Sequence, residues 1–143
     1  MEHSITMLCW VYMETSNVSG PLFSYPNPLV NLSIDRRMLA TYFNEKPLMT
    51  TNQLEPNQWH YVGSSYDHNT GNASLWLNGT KVAEQDIGAS INLATEENVR
   101  MGATVNFYWK RFKGRITAMQ LYNVALTAEQ INEVKDAGRG RKK

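Results

Sequence analysis

Residues 58–87 constrain the fold most, because their pattern fits little other than three consecutive antiparallel strands. Trp59, Tyr61, Gly63 and Ser65 alternate with His60, Val62, Ser64 and Tyr66, the period of two that sends successive side chains to opposite faces of a sheet. Asp67-His68-Asn69-Thr70-Gly71 then interrupts the strand, with Gly71 supplying the positive φ that a short hairpin loop needs. The return strand is 73–77. Asn78-Gly79 is the signal of a two-residue type I′ turn, and 81–87 is the next strand. A meander is predicted here.

The rest of the chain repeats this grammar. In 5–12, Ile5, Met7, Cys9 and Val11 alternate with Thr6, Leu8, Trp10 and Tyr12, and both sets are largely apolar, as in a central strand covered on both faces. After loop chemistry at 17–21, a short strand at 22–25 is stopped by Pro26-Asn27-Pro28. Strand 29–34 turns through Asp35-Arg36-Arg37 into 38–43, and 99–102 and 114–122 complete about nine strands at the spacing of an all-β sandwich. One helix is expected near the C-terminus. Thr127 caps it, Gln130 completes a capping box, Ile131 and Val134 give it a small apolar face, and Gly138 ends it.

With 143 residues the chain fits one domain that buries roughly two thirds of its unfolded surface without disulfides or metals. The domain is read as 1–138, followed by a disordered basic tail at 139–143. Four of the 14 basic residues lie in that tail, and the remaining 10 against 13 acidic residues leave −3 for the body. No global basic field steers it to nucleic acid. There is no apolar run of membrane-spanning length, and the first residues lack signal-peptide architecture. Cys9 is the single cysteine and sits inside an apolar strand, which favours a buried inert thiol over a nucleophile. Four N-x-S/T sequons, at Asn17, Asn31, Asn72 and Asn78, make these glycosylation candidates and lean toward an extracellular setting.

Five segments in series carry a resemblance: Ile5-Thr6-Met7-Leu8-Cys9-Trp10-Val11-Tyr12; Gln58-Trp59-His60-Tyr61-Val62 with Tyr66-Asp67; Leu75-Trp76-Leu77-Asn78-Gly79; Phe112-Lys113-Gly114-Arg115-Ile116; and the run from Leu121 through Ile131. In order and spacing they resemble the laminin G-like jelly rolls of the concanavalin A-like superfamily, and the pentraxin branch as well. The resemblance implies an all-β, two-sheet antiparallel jelly-roll sandwich with one short C-terminal helix. It also implies an outer strand ahead of Ile5 that this sequence does not display, which leaves one sheet edge open. Pentraxins carry a cysteine where this chain has Val62, with a partner that aligns nearer Leu8 than Cys9, so their disulfide is absent. Their double calcium site corresponds to 26–28 and 103–111, where no carboxylate occurs. Calcium takes six to eight oxygen ligands, usually several of them anionic, so that site is not expected to form.

Catalysis by the superfamily's glycosidases needs E-x-D-x-x-E, which points two carboxylates into one cleft. The nearest match is Glu84-Gln85-Asp86, with Ala89 in place of the second glutamate. His3, His60 and His68 are too scattered for a metal-ligand spacing. No cofactor is expected; Asp67 with Asn69 are weak calcium candidates, and Asx-turn chemistry explains both without a metal. Trp10, Trp59 and Trp76 are read as core residues of the sandwich. Trp109 differs, because Asn106-Phe107-Tyr108-Trp109-Lys110-Arg111 places three consecutive aromatics beside cations in a loop run. Such a surface stacks on sugar rings or pairs with sulfate. Tyr108, Trp109, Lys110, Arg111 and Lys113, with Arg115 beside them, are the candidate ligand-binding residues.

The expected function is therefore a non-catalytic extracellular recognition or adhesion module, secreted or part of an ectodomain, that binds a glycan, a sulfated polysaccharide or an extracellular protein. No nucleic acid or membrane span is expected, and a homo-oligomer stays open. The alternative is a structural assembly domain of a larger matrix or receptor protein. A glycoside hydrolase comes third.

Overall fold

The computed structural model describes residues 4–13, 20–25, 30–44, 46–50, 53–89, 100–101 and 114–140, apart from the side chains at 21, 23–25, 100–101, 114 and 137–140. Among the described residues ten strands precede one helix: β1 (Ile5–Met13), β2 (Gly20–Tyr25), β3 (Val30–Asp35), β4 (Met38–Phe43), β5 (Lys46–Met49), β6 (Trp59–Tyr66), β7 (Asn72–Leu77), β8 (Thr80–Asp86), β9 (Arg100–Met101), β10 (Gly114–Tyr122) and α1 (Ala128–Gly140). They form two five-stranded sheets, ordered β10-β1-β6-β7-β8 and β5-β4-β3-β2-β9. All pairings are antiparallel. The predicted meander is β6-β7-β8, and Asn78 and Gly79 both adopt positive φ, 52° and 86°, as a type I′ turn requires.

The sheets pack face to face through one parity of each strand. Ile5, Met7, Cys9, Val11 and Met13 of β1 meet Val62, Tyr66, Ala73 and Leu75 within their own sheet and Leu22, Val30, Leu32, Ile34, Leu39 and Phe43 from the other. The opposite parity of β1 is also buried. Leu8 and Trp10 join Tyr61, Trp76 and Ile131 in a second cluster beneath α1. This is why 5–12 reads as apolar on both faces: one face lies in the sandwich and the other under the helix.

Three features depart from expectation. Strand β5 was not foreseen: it has four residues with Pro47 among them, and only Leu48 is buried, so it reads as an edge strand at most. The helix continues through Gly138 to Gly140, so Arg139 and Gly140 belong to it and not to a disordered tail. Cys9 itself pairs across the strands with Val62, one residue away from the position the resemblance implied. The jelly-roll sandwich itself is as expected.

The helix start is held as the capping box predicts. Thr127 Oγ1 accepts the Gln130 N–H at 3.2 Å, and Gln130 Oε1 accepts the Thr127 N–H at 2.9 Å. Thr127→Ala is expected to cost about 1 kcal/mol, read as a melting temperature lower by about 2–4 °C.

Candidate functional site

In β3, Val30, Leu32 and Ile34 face the core, so Asn31 and Ser33 face away from it, on the outer side of the second sheet. Cross-strand pairing extends this face into two rows. Asn31 stands opposite Tyr42 and Tyr42 opposite Pro47, while Ser33 stands opposite Ala40 and Ala40 opposite Met49. The near ends are buried: Asn31 is 0% exposed, Ala40 3% and Ser33 6%. Toward the β5 edge the surface opens, with Tyr42 half-buried, Pro47 exposed and Met49 41% exposed.

Asn31 is the unusual member. Its backbone carbonyl accepts the Thr41 hydroxyl at 2.5 Å, as a strand residue can, but among the described residues neither its side-chain Nδ2 nor its Oδ1 has a hydrogen-bond partner. An unmet buried polar group costs about 1–3 kcal/mol, and native structures keep few of them. An amide both donates and accepts, so a ligand hydroxyl, directly or through one ordered water, meets both needs. Tyr42, the adjacent cross-strand residue, supplies an aromatic side chain with an exposed part. Together they offer a polar reading group beside a ring.

The residues singled out in the sequence fall elsewhere or outside the described structure. Tyr108, Trp109, Lys110, Arg111 and Lys113 lie outside the described residues, as do Asn17 and both stretches that correspond to the pentraxin calcium loops. Arg115 is described and exposed on β10. The side chain of Asn31, the asparagine of the second sequon, is buried on β3. Asn72 is half-buried on β7, whereas Asn78 is exposed on its turn with Oδ1 accepting the Tyr61 N–H at 2.9 Å. Asp67 Oδ1 accepts the Asn69 N–H at 2.9 Å, which is Asx-turn geometry. Among the described residues no three His, Cys, Asp or Glu side chains converge as metal ligands.

Glu84 and Asp86 stand exposed on edge strand β8. Glu84 pairs with Lys81 at 2.8 Å, and Asp86 Oδ1 accepts the Gly88 N–H at 2.9 Å. Cys9 is buried, and desolvation pushes its thiol far above the ordinary range. His60 is buried, with Nε2 2.8 Å from the Glu55 carbonyl. Trp10 and Trp76 are buried at 8% and 5% exposure, but under the helix and not between the sheets. Trp59 is only half-buried.

The sequence reading singled out Asn31 only as a glycosylation candidate and did not bring it together with Tyr42. The one signal available was a polar side chain, Asn31, set between Val30 and Leu32, and it was absorbed by the sequon.

This architecture, two antiparallel five-stranded sheets with a helix laid on one of them, defines a lectin-like jelly roll. The family model for laminin G-like domains of the concanavalin A-like lectin/glucanases superfamily matches residues 2–132, and the chain belongs to that family. No curated protein matches significantly. Among solved structures, a candidate carbohydrate-binding protein of Bacteroides ovatus superposes with a TM-score of 0.80 at 19% identity, covering 92% of this chain and 40% of its own. The heptameric SAP-like pentraxin of Limulus polyphemus gives a TM-score of 0.74 at 16% identity, with 93% and 70% covered. The CBM40 of the Ruminococcus gnavus IT-sialidase, bound to α2,3-sialyllactose, gives a TM-score of 0.73 at 17% identity, with 93% and 83% covered. The chain thus spans well under half the length of the Bacteroides protein. Among the described residues no helix is long and apolar enough to cross a membrane.

Proposed function

We propose that this chain is a non-catalytic, extracellular glycan-binding module that holds a saccharide against the outer face of its second sheet. The observation that carries the reading is Asn31, whose buried amide has both polar atoms unpaired among the described residues, next to the half-buried Tyr42. Similar folds in carbohydrate-binding and lectin-like proteins support it. In this reading Tyr42 stacks on the sugar ring, and Asn31 exchanges hydrogen bonds with a hydroxyl or with the water that hydroxyl holds. The connection from β9 to β10 contains Tyr108, Trp109, Lys110, Arg111 and Lys113, which are proposed as a second aromatic and cationic wall.

The test is a glycan array followed by calorimetric titration of every hit. Trp109→Ala combined with Lys110→Ala is expected to weaken binding of any hit about tenfold, since one stacked ring and one charge-assisted bond are lost. An array with no hits, joined to a defined oligomer in solution, would sink the reading in favour of an assembly domain.

A further inference from the structure

A second surface lies on the other sheet, on the side that carries α1. At the end of the first sheet where β10 begins, Arg115, Tyr12 and Trp59 stand side by side on three adjacent strands, Tyr12 pairing with Arg115 on one side and Trp59 on the other. The guanidinium carbon of Arg115 is 5.0 Å from the Tyr12 ring centre, and the Tyr12 and Trp59 ring centres are 5.6 Å apart with planes tilted 57°. Arg115 is exposed, and Tyr12 and Trp59 are half-buried. Among the described residues Arg115 forms no salt bridge, so its charge is met only by the face of a ring.

The row continues past Trp59 to another cation. Asn78 accepts the N–H of Tyr61, two residues from Trp59, and its carbonyl takes a hydrogen bond from Lys135 Nζ on α1 at 3.3 Å. Arg115, Tyr12 and Trp59 therefore stand on three neighbouring strands, about 10 Å across at the usual strand spacing, with Lys135 of α1 at the Asn78 turn. Leu8, Trp10, Tyr61 and Trp76 lie under the helix, while Tyr12 and Trp59 keep exposed area beyond it.

We propose that this row is a binding surface for an anionic saccharide, with a sugar ring resting on Trp59 and against the outer edge of Tyr12, and its carboxylate or sulfate paired with the Arg115 guanidinium that Tyr12 holds in place. Ring faces attract the apolar side of a sugar, and an exposed guanidinium without a carboxylate partner forms a forked pair with an oxyanion. The inference shares with the proposed function only the ligand class; it uses a different sheet and different residues.

The full chain is titrated at low and at physiological salt against dextran sulfate, polygalacturonate and neutral dextran. Binding to at least one polyanion and none to neutral dextran is expected, and the sulfated and carboxylated arms identify the oxyanion. Arg115→Gln, a surface change that spares the core, is expected to weaken that binding about tenfold. Tyr12→Leu leaves every charge in place and is expected to weaken it roughly threefold or more, with thermal melting confirming that the variant is folded. The proposal is overturned if neither polyanion binds, if Arg115→Gln binds as wild type, or if folded Tyr12→Leu does, since charge alone would then suffice. If array binding fails while polyanion binding behaves as expected, the proposed function falls and this inference stands.

Discussion

Replacing Asn31 with leucine is expected to make the unliganded domain more stable and to remove its binding of any glycan held on the second sheet. The two effects come from one cause. In the free chain the Asn31 amide is 0% exposed, and among the described residues neither Nδ2 nor Oδ1 is paired. Each unmet group costs about 1–3 kcal/mol, and leucine keeps the branched outline of asparagine while removing both. For a chain of this size each kcal/mol gained raises the melting temperature by about 2–4 °C. The same change deletes the group proposed to read the sugar, so binding falls by tenfold or more, the worth of about one good hydrogen bond to a desolvated partner. Leucine is larger than asparagine and can overpack, which costs about 1–3 kcal/mol. Asn31→Ala is therefore measured beside it. If both variants melt below the wild type and still bind the glycan, the amide is already satisfied and the site is elsewhere.

Much of the fold was legible because the deciding signals are local. The alternation in β6 and the Asn78-Gly79 turn each depend on a few adjacent residues, and the capping box lies within four, Thr127 to Gln130. The site was not legible, because it depends on which face of a strand is covered. Val30, Leu32 and Ile34 mark the inward parity of β3, but the sequence alone leaves Asn31 and Ser33 to be read as solvated. Their burial is a tertiary fact. The Arg115, Tyr12 and Trp59 row was hidden for a related reason: its members come from strands far apart in the chain and meet only through the pairings of β1 with β10 and β6. Strand β5 escaped because a four-residue edge strand containing proline has little pattern to read. The reach of α1 past Gly138 escaped because a glycine that usually stops a helix is tolerated in its last turn, where the loss is about 1 kcal/mol.

Gly63→Ala is expected to destabilise the domain by about 1–3 kcal/mol, the usual range for overpacking a filled core. Gly63 lies in β6 opposite Leu8 on one side and Trp76 on the other. A Cβ built there would overlap Leu8 Cδ2 and stand 2.8 Å from the Met7 carbonyl oxygen. The backbone oxygen cannot move without breaking strand pairing, and Leu8, 0% exposed, is fixed among Trp10, Tyr61, Trp76 and Ile131. The added methyl must therefore push this cluster toward α1, whose Ile131 closes it. Trp76 Nε1 donates to Ser65 Oγ at 3.0 Å, and a shift of the indole strains that bond as well. The expected reading is a melting temperature lower by about 2–4 °C per kcal/mol, with tryptophan fluorescence changed because two indoles line the cluster. Hydrogen exchange should quicken in α1 and leave β3 and β4 near their wild-type rates, since the disturbance lies on the helix side of the first sheet. Equal loss of protection in both sheets, or wild-type stability, would mean that Gly63 is not where the helix and sheet are held closest.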